Sequence, residues 1–282
     1  MRLDRWLTLW LFRGLARPQP NRIPVLMYHR ISDDAELGIK PYYRVTMSPR
    51  QFAAQMDWLA AGGYRGVSLA VALETLAKGK TPQEPLVAIT FDDGFRDFHT
   101  QAWPALQKHG FSATMYLPTA FISDSRCSFK NCECLTWTEV RELHSCGIHF
   151  GSHTVNHPVL YHCGWPEIDQ ELCASKAVLE DRLQCAAPAF AYPYAYPQQD
   201  REFANRFTER LVAAGYQSAV TTAIGRVAAS DDLFRIKRLP VNSGDDRAFF
   251  VAKLAGAYDW VAGIQSLVKS FKGFRNSTLR PT

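Results

Sequence analysis

Two aspartates stand side by side at the end of an apolar run, in "VAITFDDGFRDF", residues 87–98. Neighbouring carboxylates repel, and an uncompensated charge next to a buried segment is costly. Asp92 and Asp93 therefore require a cation beside them, or one of the pair must hold a proton. Further along, "HTVNHP" sets His153 and His157 four residues apart. On a helical turn that spacing puts both imidazoles on one face, within reach of a single ion. Two histidines and one carboxylate with an open position form the donor set of catalytic zinc, and the second carboxylate can then serve as general base.

Such groups must be carried to one place, and the surrounding chain has the pattern to do it. "IPVLMYH" (23–29), "LVAITF" (86–91), "SATMYL" (112–117), "IHFGS" (148–152), "PAFAY" (188–192), "YQSAVT" (216–221) and "RIKRLPV" (235–241) read as strands. Helical stretches alternate with them. One opens at Ser48 with Pro49 in its first turn and Gly62 beyond its end, and another at Thr136, where Glu139 completes a capping box. A third runs from about Pro166 to Gln184. Strand–helix alternation of this kind predicts parallel strands joined by crossover helices, hence an α/β protein with a distorted, TIM-barrel-like (β/α) barrel. In such folds the C-terminal strand ends carry the chemistry, and His29, Asp92, Asp93 and the "HTVNH" segment all fall there.

The 282 residues are 47% hydrophobic and 21% charged, ordinary values for a globular protein with a real core. A net charge of +5 is too weak to argue for nucleic acid, and no zinc-finger or RNA-binding signature occurs. The seven cysteines are an odd number, and three of them bunch in "CSFKNCEC" without a second cluster, which argues against a structural zinc site. Free thiols in a reducing compartment are the main reading, with a local disulfide in that stretch as the alternative. That points to the cytoplasm or the inner face of the membrane; a periplasmic or membrane-anchored location is the alternative.

Residues 1–21 are basic and amphipathic, with Leu3, Trp6, Leu7, Trp10 and Leu11 at helical spacing and an apolar run too short to span a bilayer. This segment reads either as an interfacial helix on anionic lipid or as a helix docked on the protein's own body. Residues 22–245 form the main domain, and residues 246–282 a helical basic extension.

"TFDDG" (90–94), "HTVNH" (153–157) and "FAYPY" (190–194) occur in an order that resembles the polysaccharide deacetylases, the NodB-homology carbohydrate esterases. "PVLMYHRI", "MSPRQFAAQMDWLAAGGYRGVSL" and "LTWTEVRELHSCGIHFGSHT" are similar to the members acting on N-acetylglucosamine polymers, and the resemblance spans residues 22–245. It implies hydrolytic, metal-dependent removal of N-acetyl groups from amino sugars of a polysaccharide or lipid-linked glycan. Carried over by position, Asp92 is the general base, while Asp93, His153 and His157 hold a divalent metal, zinc first and cobalt or nickel as alternatives. Pro193 and Tyr194 would border the substrate, with a backbone N–H near Tyr194 on the oxyanion.

Two departures from the family pattern stand out. The arginine that pairs with the base is replaced by Ala191, and no histidine follows His162 to act as the acid. His29 is the candidate acid, with a backbone-bonding role as its alternative. Arg238 is a candidate cation near Asp92 and the substrate, or else a solvated strand-end residue, and Trp137 is a candidate wall of the sugar pocket or simple packing. The alternatives for the whole chain are a deformylase or other amidase, and a catalytically silent glycan-binding relative.

Overall fold

The computed structural model describes residues 3–12, 21–34, 36, 38–39, 44–79 and 83–265. Eight parallel strands carry the fold: β1 (Val25–Tyr28), β2 (Arg65–Val67), β3 (Leu86–Phe91), β4 (Thr114–Leu117), β5 (His149–Ser152), β6 (Ala189–Ala191), β7 (Ser218–Ile224) and β8 (Ile236–Pro240). Seven of them close into a ring, β1–β3–β4–β5–β6–β7–β8 and back to β1. The distortion lies at β2. It pairs with β3 over Leu86–Ala88, and β3 then pairs with β4 over Thr90–Phe91, so β2 and β4 share one edge of β3. This is the expected distorted (β/α) barrel.

The strands read as continuous apolar runs because a parallel barrel covers both of their faces; every residue of β3 is buried. The helices are α1 (Leu3–Leu7), α2 (Pro49–Ala61), α3 (Leu69–Ala77), α4 (Trp103–Gln107), α5 (Trp137–Ser145), α6 (Trp165–Leu183), α7 (Arg201–Ala213) and α8 (Arg247–Leu254). Their starts follow the sequence signals. The Ser48 hydroxyl accepts from Gln51 N, and the Thr136–Glu139 capping box is complete.

Two features were not foreseen. β2 and α3 stand outside the pattern read from the sequence, because a three-residue strand built around Gly66 leaves almost no periodic signal. The core also continues past residue 245: Phe249, Phe250, Leu254, Tyr258 and Val261 are buried in the same cluster as Phe52, Phe91 and Leu239. The first part of the expected C-terminal extension is thus integral to the barrel. The rest, residues 266–282, lies outside the described residues, as do Arg13 and Arg17 of the N-terminal segment.

Candidate metal and catalytic site

Asp92 and Asp93 leave the tip of β3, both 2% exposed. The backbone turns sharply there, with Asp93 at φ 74° and Gly94 at φ 66°. A β-carbon on Gly94 would stand 2.8 Å from Leu117 Cδ2, so glycine meets both the turn and the close approach of β4. The two carboxylates point to different partners, which answers how they coexist.

Asp92 meets Arg238. The guanidinium gives a two-point pair, Nη1 to Oδ1 and Nη2 to Oδ2, each 2.7 Å. Arg238 Nε donates to Thr221 O at 3.1 Å, where the register of β7 against β8 shifts between Val220 and Ile224. Burial alone would raise the Asp92 carboxyl; the Arg238 charge, followed by His153, outweighs it and holds the group down at about 2. His29 Nε2 lies 3.8 Å from Asp92 Oδ2. Burial lowers the His29 pKa against the opposing pull of Asp92 and Asp93, so its imidazole is neutral at neutral pH in the resting site.

Asp93 meets the histidines. Its Oδ1 is 3.2 Å from His157 Nε2 and 3.6 Å from His153 Nε2. The ligand atoms of all three residues lie within 4.8 Å of one another. His153 Nδ1 contacts Ala191 O at 2.8 Å and must donate there, which leaves Nε2 as a lone pair facing Asp93. Burial, with some help from His157, lowers His153 to about 4 against the pull of Asp92 and Asp93, so the ring is neutral and able to ligate. Asp93 is held well below the ordinary carboxylate range: burial pushes it up, but His157, His29, His153 and Lys130 prevail. Asp93 Oδ1 is nevertheless buried without a hydrogen bond. An acceptor oxygen facing an imidazole lone pair in a buried place suits a divalent cation and suits little else.

The histidines reach this point by a route other than the expected helical turn. Residues 153–157 form an irregular loop with Thr154 at φ 70° and His157 at φ 55°. The loop is fixed from below by Glu171 of α6. Its Oε2 accepts from Val155 N (2.7 Å) and Asn156 N (3.0 Å), and its Oε1 accepts from Asn156 Nδ2 at 2.7 Å. Thr154 Oγ1 accepts from His157 N at 2.9 Å.

Three of the expected substrate residues are buried. The Arg238 side chain is 0% exposed and its terminal nitrogens meet Asp92, the place expected for it as the cation beside the base. Trp137 is 2% exposed within the core, below the guanidinium of Arg182. Pro193 is buried, leaving Tyr194 as the outward-facing member of that pair. Tyr194 is 48% exposed, sits at φ 57° and packs its ring 4.6 Å from that of His157.

One neighbour gave no warning in the sequence. "CSFKNCEC" folds into a hairpin, Ser128–Phe129 against Cys132–Glu133, turned by Lys130 and Asn131 at φ 51° and 61°. Both central residues have positive φ, which is the tight hairpin turn that matches strand twist. The turn lays Phe129 against His157 (5.2 Å between rings) and brings Lys130 Nζ to 3.0 Å from Asp93 Oδ2. A lysine in the turn of a polar hairpin carries no pattern that separates it from a solvated one. All seven cysteines are thiols in this structure.

Residues 79–218, which hold both the acid pair and the histidine pair, match the sequence model of the polysaccharide deacetylase family. The chain belongs to that family. Bacillus subtilis YxkH, provisionally named a polysaccharide deacetylase, is 28% identical over 238 residues, 83% of this chain and 76% of the relative. A poly-β-1,6-N-acetyl-D-glucosamine N-deacetylase of Staphylococcus epidermidis is 24% identical over 242 residues, 80% of this chain and 81% of its own length. Among solved structures, the Streptococcus pyogenes deacetylase PplD in complex with acetate superposes with a TM-score of 0.71 at 25% identity, over 84% of this chain and 99% of that one.

Proposed function

We propose that this polysaccharide deacetylase is a metal-dependent hydrolase that removes N-acetyl groups from amino sugars of a polysaccharide or a lipid-linked glycan. One observation carries the reading: Asp93 Oδ1 and two imidazole nitrogens face each other in a buried site, with a second carboxylate beside them already neutralised by an arginine. Asp93, His153 and His157 would hold the ion, with zinc as the first choice. A divalent ion held there would supply Lewis acidity, lowering the pKa of a water toward about 7 and polarising an acetamide carbonyl.

The protein's own groups handle the proton. Asp92 stays ionised throughout the neutral range, and Arg238 fixes the orientation of its carboxylate. It accepts a proton from the attacking water as the carbon–oxygen bond forms. The leaving amine must regain a proton as the carbon–nitrogen bond breaks, so the net transfer is one proton from water to nitrogen. His29, 3.8 Å from Asp92, is the group suited to pass it on. Its imidazole starts neutral, so the proton it delivers is one received during the reaction rather than one stored beforehand. Tyr194 borders the opening and would offer its ring to the sugar and its backbone N–H to the oxyanion. The family relatives named for poly-N-acetylglucosamine support a glycan substrate.

The test is acetate release from defined N-acetylglucosamine oligomers, with and without a chelator. Release that stops on chelation and returns with zinc supports the reading, as does an Asp92→Asn variant that keeps its metal yet loses turnover. Undiminished release after exhaustive chelation would overturn it.

A further inference from the structure

The N-terminal helix, α1 continued by the π-helical turn Thr8–Phe12, is docked the wrong way round for a helix that belongs to the protein's core. Its polar residues face inward. Tyr258 Oη donates to Asp4 Oδ2 at 2.8 Å, Trp260 Nε1 donates to Thr8 Oγ1 at 3.1 Å, and Arg5 pairs with Asp246. Thr8 is wholly buried. Three large apolar side chains face outward: Leu3 is 67% exposed, Trp6 42% and Trp10 70%. The two indoles stack on each other with centroids 5.3 Å apart. An amphipathic helix serving only the fold would present the reverse. Here three polar contacts hold an apolar ridge out into solvent.

The distribution of charge along the sequence indicates what covers this ridge. Residues 1–20 hold four arginines against one aspartate, and residues 266–282 hold two lysines and two arginines with no acid. The residues between them carry a slight excess of acids, so the positive charge of the chain belongs to its two ends. Tryptophan favours the boundary between water and hydrocarbon, and basic residues favour the anionic headgroups beside it. Asp246, which anchors Arg5, caps α8 shortly after β8 ends, at the same end of the barrel as the acid pair. No described helix is long and apolar enough to cross a membrane.

We infer that Leu3, Trp6 and Trp10 form an interfacial anchor that seats the protein on an anionic lipid surface. The helix lies in the headgroup layer, with its polar side fixed to α8 and the residues that follow it. The anchor is independent of the reaction assigned to the barrel.

The test is co-sedimentation of the full chain with vesicles of phosphatidylglycerol and phosphatidylethanolamine in equal parts, and with vesicles of phosphatidylcholine alone. The wild type should pellet with the first and far less with the second, and raised salt should weaken the binding. Trp6→Ser/Trp10→Ser should bind the anionic vesicles about tenfold more weakly or worse. Its melting temperature should match the wild type, because neither indole is buried; this control does not depend on activity. Wild-type protein left in the supernatant, or a double variant that pellets unchanged, overturns the proposal. So does a wild type that sediments as a dimer, ignores vesicles and becomes monomeric in the double variant, which would assign the ridge to a second copy of the chain.

Discussion

Arg238 and Asp92 form a buried fork, two 2.7 Å contacts between side chains that are 0% and 3% exposed. The family's third motif would put the partner of the base at Ala191, and here the cation comes from β8 instead. Truncating one member of a buried pair leaves the other charge uncompensated, at a cost of about 3–5 kcal/mol. Arg238→Ala should lower stability by that order and abolish turnover. Arg238→Lys keeps the charge without the planar fork, so it should fold better than the alanine variant and still lose most activity. Denaturant midpoints and acetate release measure both. An alanine variant of wild-type stability would show that the fork does not hold the barrel together.

Lys130 places an ammonium 3.0 Å from the oxygen of Asp93 that faces away from the histidines. It competes electrostatically with any cation bound to the other oxygen. Lys130 is 43% exposed, so solvent weakens the effect. Lys130→Met should tighten zinc binding by up to about tenfold, measured by competition with a chromophoric chelator. Weaker binding in the variant would mean that Lys130 orients Asp93 more than it repels the ion.

Glu171 acts on the histidines through the backbone of their loop. Glu171→Ala takes the carboxylate acceptor away from the N–H groups of Val155 and Asn156, at about 1.5 kcal/mol for each hydrogen bond to a charged group. The sharper expectation concerns the metal: affinity should fall about 10- to 100-fold, the range for residues that support ligands. Glu171→Gln keeps one acceptor oxygen and should recover part of it. Metal content by elemental analysis, set against the melting temperature, separates positioning from general loosening.

Glu139 gives a pH dependence away from the site. Partial burial would raise its pKa, but the Arg126 hydrogen bond, Thr136 N and Arg96 bring it down to about 2 from an ordinary 4.5. A carboxyl depressed by folding contributes stability that is complete above the ordinary value and fades as pH falls toward the folded one. The protein should therefore lose stability between pH 4.5 and about 2, and Glu139→Gln should flatten that part of the curve. Parallel wild-type and variant curves over that range would remove Glu139 from the account.

Much of this was readable in advance, for identifiable reasons. A fully buried strand writes itself as an unbroken apolar run, so β3 and the acids at its tip were plain in "LVAITFDDG". Caps at Ser48 and Thr136 depend on local chemistry and stood where expected. Convergence of His153 and His157 was foreseen, but its cause was not. A loop with two left-handed residues and a carboxylate beneath it leaves no periodicity, and spacing of four residues suggested a helical turn instead. Arg238 could be read either way, since one arginine in a strand is compatible with an inward or an outward face. Its inward position goes with a register shift between β7 and β8, which is a tertiary fact. Trp137 carries the same ambiguity: a large aromatic next to a motif suits a pocket wall or packing, and its side chain lies in the core.

Asp93, Thr154, His157 and Tyr194 all sit at positive φ, a conformation that costs a side-chain-bearing residue about 1 kcal/mol or more. Four such kinks gathered in one place act as a loaded spring, and a cation seated among Asp93, His153 and His157 would be the catch. Heat resistance would then report occupancy: a purified batch stripped of its ion should melt early and sharpen on reloading, before any sugar is added.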